Sequence, residues 1–112
     1  LLRLLNFLPK PTIALAQGNI FGGGVGLTSC CDIAIAETGA QFCLSEVRIG
    51  LIPSIIAPYV INAMGERMAR RYFMTAERFD ADTAHRIGFV HEVAPVGGLD
   101  VAADKIIKSL LE

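Results

Sequence analysis

Apolar and polar positions along this chain change rhythm several times, and each change predicts an element. Leu1 to Leu8 places leucines at helical spacing around Arg3 and Asn6 and reads as the end of an amphipathic helix, stopped by Pro9 and Pro11. Thr12 to Ala16 is a short apolar run of strand type that exits into the glycine-rich stretch Gln17 to Gly24. Val25 to Cys31 predicts a short buried helix, and Asp32-Ile33-Ala34-Ile35-Ala36 alternates as a second strand. Glu37-Thr38-Gly39 turns the chain into a third short strand, Ala40 to Cys43.

Beyond this point helical spacing dominates. Ser54 is the candidate N-cap of a helix reaching about Met64, with Pro58 tolerated in its first turn. Gly65 interrupts, and Glu66 to Met74 is helical again. Asp80 caps a short helix, Ala81 to Ile87, which Gly88 ends. Phe89 to Val93 predicts a strand, and Leu99 to Leu111 a last amphipathic helix with Val101, Ala102, Ile106 and Leu110 on one face. Strands mixed with helices in this order argue an α/β fold. No internal repeat, linker or low-complexity tract is read.

At 112 residues the chain holds one domain at most. It opens on Leu1, which suits a piece of a longer or processed protein. An apolar share of 53% is high for a self-contained soluble domain, and implies a further part of the fold, a subunit interface or a membrane as its destination. The membrane is the weakest of these. Pro11 to Cys31 is uncharged and long enough to span, yet it holds five glycines with Gln17 and Asn19 between them. A second uncharged run, Ile49 to Gly65, is broken by Pro53 and Pro58. Net charge of −1 gives no electrostatic case for nucleic acid. Cys30, Cys31 and Cys43 have neither disulfide nor zinc spacing, so buried thiols in a reducing compartment are expected. No secretory leader is read, and the cytoplasm is the expected location.

Two stretches carry candidate chemistry. The first, Gln17-Gly18-Asn19-Ile20-Phe21-Gly22-Gly23-Gly24-Val25-Gly26, joins a strand to a helix. It lacks the lysine of a phosphate-binding P-loop, and Leu27 stands where a dinucleotide fingerprint needs its third glycine. Two readings stay open: close strand–helix packing, or an oxyanion hole in which Gly23 N–H points out of the positive end of the helix. The second stretch, Phe42-Cys43-Leu44-Ser45-Glu46-Val47, sets one carboxylate among apolar residues. Glu46 is either a proton-transfer group or a solvated carboxylate paired with Arg48. The arginines Arg67, Arg70, Arg71, Arg78 and Arg86 alternate with Glu66, Glu77, Asp80 and Asp82, as on a solvated or interfacial face. His85 and His91 have no partnered spacing and read as structural.

Lys10-Pro11-Thr12-Ile13-Ala14, the Gly18–Gly24 run, Cys31-Asp32-Ile33, Ala40-Gln41-Phe42, Glu46, Gly50-Leu51-Ile52-Pro53 and Gly88-Phe89-Val90 fall in a fixed order. Together they resemble the enoyl-CoA hydratase/isomerase (crotonase) superfamily over nearly the whole chain. The segments Phe42 to Glu46 and Arg70 to Phe79 look most like a bacterial subgroup acting on branched, carboxylated enoyl-CoAs such as 3-methylglutaconyl-CoA, in leucine or acyclic-terpene breakdown.

The resemblance implies a ββα spiral over residues 1–53, the core with the glycine-rich segment, followed by a helical C-terminal part, 54–112. It implies a lyase that hydrates a 2-enoyl thioester. Gly23 would give one of two backbone donors to the thioester oxygen, and Glu46 would act as catalytic acid and base. Phe21, Gly22, Gly24, Gly26, Pro53 and Ser54 would line the substrate site. Two departures stand out: Gly26 occupies the place of the family's first catalytic glutamate, and Ser54 a place often held by glycine. With one glutamate, an isomerase is the alternative activity, and a catalytically incomplete assembly piece the alternative to an enzyme. No metal or redox cofactor is implied, since coenzyme A is part of the substrate. The resemblance further implies a homotrimer or hexamer. It also implies that the first oxyanion donor and most coenzyme A contacts lie in an N-terminal half outside these residues.

Overall fold

The computed structural model of the chain describes residues 1–44 and 55–112. Helix α1 (Leu2–Asn6) leads into strand β1 (Ile13–Ala16), strand β2 (Asn19–Phe21) and helix α2 (Gly23–Cys30). Strands β3 (Ile33–Glu37) and β4 (Gln41–Cys43) follow, then helices α3 (Ala57–Met64) and α4 (Glu66–Thr75). Strand β5 (Phe79–Asp80), helix α5 (Ala81–Arg86), strand β6 (Glu92–Ala94) and helix α6 (Leu99–Leu111) complete the chain.

These strands form two three-stranded sheets. The first, in the order β1-β3-β6, is parallel throughout. In the second, β2-β4-β5, the pair β2–β4 is parallel and β5 runs antiparallel to β4. Ile13 pairs with Ile33 in one sheet and Asn19 with Gln41 in the other. Two successive strand–strand turns therefore stack on each other, each giving one strand to each sheet. That is an α/β spiral, as the family resemblance implied, although the residue pattern by itself showed no repeat.

The alternation of β1 and β3 sorts side chains between two layers. Ala14, Ala16, Ala34 and Ala36 face the main core. Ile13 and Ile35 face the other way and pack under α6 against Leu99 and Ala103. The main core centres on Phe42, fully buried, which stacks on Phe79 at 5.3 Å and meets Phe89 edge-on at 5.4 Å. Aromatic pairs of this kind add roughly 0.5–1.5 kcal/mol beyond their area. At the base of the first sheet Thr12 and Asp32 lock the starts of β1 and β3. Thr12 N–H donates to Asp32 Oδ2 (2.9 Å), and Asp32 N–H donates back to Thr12 Oγ1 (2.9 Å).

Several elements differ from the sequence reading. Helix α2 starts at Gly23 rather than Val25, because Gly22 already turns the chain. The glycine-rich exit contains β2, and Phe79–Asp80 forms β5; both are strands only because β4 lies between them. The 54–112 part is thus not purely helical, since β5 and β6 each complete a sheet. Phe89 and Val90 are buried but not strand: their N–H groups donate to Ala84 O at 2.8 and 3.2 Å, so α5 claims them. The strand begins only at Glu92. Asp80 caps α5 as expected, accepting from Thr83 N–H at 2.8 Å, which holds its carboxyl below the usual range. Ile56 is the N-cap of α3; the Ser54 expectation lies outside the described residues.

The uncharged run 11–31 is divided among β1, β2 and α2. Among the described residues no helix is long and apolar enough to cross a membrane.

Candidate functional site

The site is built around the exit of β2. Gly22 adopts φ 51° and ψ −110°, a conformation closed to side-chain-bearing residues. Its N–H donates to Cys43 O at 2.9 Å, tying the exit to the end of β4. Its carbonyl accepts from Val25 N–H (3.0 Å) and Gly26 N–H (3.2 Å), which opens α2. Gly23 and Gly24 are thereby left as the first two helical residues, and their N–H groups meet no acceptor among the described residues. A Cβ added at Gly23 would touch nothing within 4 Å, so the approach to this amide is open. The positive end of an eight-residue helix, with two amides aimed outward, favours an oxygen that carries negative charge.

The neighbouring glycines do different work. A Cβ at Gly24 would come within 3.1 Å of Ile20 Cγ2, so this glycine lets α2 rest on β2. Gly26 is buried, and a Cβ there would stand 2.6 Å from Ile56 Cγ2 and 3.1 Å from Ile56 Cβ. The space where a longer side chain would have to lie is filled by the N-cap residue of α3. Gly26→Ala is therefore expected to cost about 1–3 kcal/mol, the usual penalty of overpacking. The same substitution in an Ile56→Ala background should cost little, and thermal unfolding of the double-mutant cycle checks it. Equal losses in both backgrounds would refute the contact.

Phe21, the last residue of β2, is 37% exposed, and the Arg78 guanidinium carbon sits 5.0 Å from its ring centre. On the other side of the sheet edge, Cys43 Sγ donates to Ala76 O at 3.2 Å, and Ala76 closes α4 in a left-handed turn at φ 52°. Of the residues expected at the site, Phe21, Gly22, Gly23 and Gly24 come together on one turn. Gly26 follows on α2 but faces the helix packing. Glu46, Pro53 and Ser54 lie outside the described residues.

Sequence reasoning missed the closing of Gly26 by Ile56 and the seat of Arg78 on Phe21. The first had no local signal. The second had a weak one, a cation one residue before the strand that pairs with β4. The remaining candidates are structural. His91 Nδ1 accepts from Ala34 N–H at 3.0 Å while His91 N–H donates to Ala34 O at 2.8 Å, so the imidazole extends the β3–β6 ladder. Burial, above all, pushes the Cys30 and Cys31 thiols up, which leaves neither an activated nucleophile. Among the described residues no group of three or more His, Cys, Asp or Glu is placed to hold a metal ion. A hollow of about 580 Å³ lies between α5, β6 and α6 and touches none of the expected site residues.

The chain spans well under half the length of the curated relatives it matches. An enoyl-CoA hydratase of Alternaria alternata is 43% identical over 86 residues, covering 77% of this chain and 29% of its own. The hydroxycinnamoyl-CoA hydratase-lyase of Pseudomonas fluorescens is 34% identical over 111 residues, 98% of this chain and 40% of that one. The crystal structure of an enoyl-CoA hydratase from Shewanella pealeana superposes with a TM-score of 0.93 at 54% identity, covering 98% of this chain and 41% of that chain. The two-sheet spiral seen here is thus the crotonase fold. A model of the enoyl-CoA hydratase/isomerase family matches residues 1–112 without remainder, and the chain belongs to that family.

Proposed function

We propose that the protein carrying this chain adds water to the 2,3 double bond of an enoyl thioester of coenzyme A. The observation that supports this most is the open N-terminal turn of α2, where Gly23 N–H has no acceptor among the described residues and free space before it. A thioester oxygen seated there becomes more negative as water attacks C3 and the enolate forms. A fixed donor at a helix start stabilises that change with no reorganisation, typically by about 3–4 kcal/mol. Glu46 takes the proton of the attacking water and returns a proton to C2, alternating as base and acid. The thioester is itself the electron sink, so the reaction calls for neither metal nor redox cofactor. The second oxyanion donor and most coenzyme A contacts are assigned to the N-terminal half of the same enzyme, and the assembly to a trimer or hexamer.

The substrate assigned is a branched, carboxylated enoyl-CoA of the 3-methylglutaconyl type, on the strength of Phe42 to Glu46 and Arg70 to Phe79. A second reading is favoured by one observation. Ile56 fills the place beside Gly26, so a two-glutamate water clamp cannot form there. One carboxylate suffices for an isomerase that shuttles an α-proton.

Turnover of crotonyl-CoA and 3-methylglutaconyl-CoA in water labelled with both ¹⁸O and deuterium separates the two. Label at the C3 oxygen is the expected result. Proton exchange at the α-carbon without label would make the enzyme an isomerase. Neither signal would remove both readings.

A further inference from the structure

Three arginines line a polar hollow of about 280 Å³ beside the edge strand β5, together with Gln41, Tyr72 and Thr83. They are not in equivalent surroundings. Arg71 is tied to Glu77, with Nε donating to Oε1 at 2.6 Å and Nη2 to Oε2 at 3.3 Å. Arg86 stands close enough to Asp80 to help hold that carboxyl low. Arg78 faces no carboxylate within salt-bridge distance among the described residues, and its guanidinium lies over the face of Phe21 instead. Phe21 immediately precedes Gly22, whose turn presents the amides of Gly23 and Gly24.

A guanidinium on an aromatic face is held weakly and keeps its hydrogen-bond donors free. A carboxylate or phosphate offers it paired, charge-assisted hydrogen bonds, which are stronger. An exposed cation parked in this way on the residue that leads into the donor turn is poised to exchange the ring for an anion. We propose that Arg78 binds an anionic group of the substrate, an oxyanion carried by the acyl-CoA. This rests on the acyl-CoA reading above and deepens it. The oxyanion has two sources: a carboxylate on the acyl arm, or a phosphate on the coenzyme A arm. Arg78 selects substrate and does not take part in bond making, so its removal should appear in KM rather than kcat.

The experiment compares wild type, Arg78→Gln and Arg78→Lys in the complete protein, with crotonyl-CoA and 3-methylglutaconyl-CoA as substrates. The expected result is a KM raised at least about tenfold in Arg78→Gln with kcat within about threefold, and partial rescue by Arg78→Lys. A rise confined to the carboxylated substrate assigns the acyl arm. A rise with both assigns a phosphate. Unchanged KM for both substrates, or a loss in kcat alone, overturns the proposal while leaving the acyl-CoA reading intact. If wild type neither binds nor turns over either thioester, the acyl-CoA reading fails and this one with it.

Discussion

Glu46→Gln is expected to lower kcat by about 10³-fold while the dissociation constant for an acyl-CoA stays within about threefold of wild type. The cause lies at the residue twenty positions earlier, Gly26. In the proposed hydration, one proton leaves water and another reaches C2, and two carboxylates would divide that work. Gly26 offers no carboxylate, and Ile56 occupies the volume that one would need. Both transfers therefore fall on Glu46. Glutamine keeps the shape and the hydrogen-bonding capacity of glutamate but cannot exchange a proton at any accessible pH. Binding, which depends on the oxyanion donors and the coenzyme A contacts, is left in place. Single-turnover kinetics and equilibrium titration on the same variant measure the two quantities separately. Turnover near the wild-type rate would sink the proton-transfer role of Glu46, though not the fold. A weakened affinity with unchanged kcat would reassign Glu46 to substrate binding.

What the sequence made legible was set by how local the cause of each feature is. The Asp80 cap and the break at Gly65 depend on neighbours within a few residues, and each appears where the pattern put it. The α6 stripe does not: Leu99, Ala102, Ala103 and Ile106 pack on the sheet, while Val101 and Leu110 stay exposed, because the face is chosen by Ile13 and Ile35 of other elements. Strands β2 and β5 were not legible, because Asn19-Ile20-Phe21 and Phe79-Asp80 have no strand signature of their own. Only β4 between them makes them strands. The same holds for Phe89-Val90, apolar enough for a strand but claimed by Ala84 O. The stacked turns did leave a trace: Ile13-Ala14-Leu15-Ala16 and Ile33-Ala34-Ile35-Ala36 are near copies placed in register as β1 and β3. In the site, the glycine run was readable as backbone exposed at a helix start. Which glycine serves approach and which serves packing was not, since that depends on Ile20, Leu2 and Ile56 arriving from other elements.

That division of labour among the glycines gives the second large expectation: Gly22→Ala should cost about 10²-fold in kcat and lower the melting temperature, whereas Gly23→Ala should spare stability. At φ 51° and ψ −110° an L-residue is strained by roughly 1–3 kcal/mol, and alanine relieves the strain only by rotating the turn. The turn cannot rotate alone. Gly22 N–H holds Cys43 O, and Gly22 O holds Val25 and Gly26, so movement displaces the β2–β4 edge and the first amides of α2 together. A donor shifted from its oxygen loses most of its worth, and removing one such donor elsewhere costs 10²–10³-fold, by order of magnitude. Gly23 lies in the helix without a positive φ, and a methyl there meets nothing within 4 Å. Alanine at that position restricts the unfolded chain and leaves the fold at least as stable. It does so by placing a methyl group in the space before the donor, so the damage should show as a raised KM. Thermal unfolding and steady-state kinetics on the two variants form one test. If Gly22→Ala retains full activity and stability, the Gly22 turn does not position the oxyanion donor, and the helix start is a packing device alone.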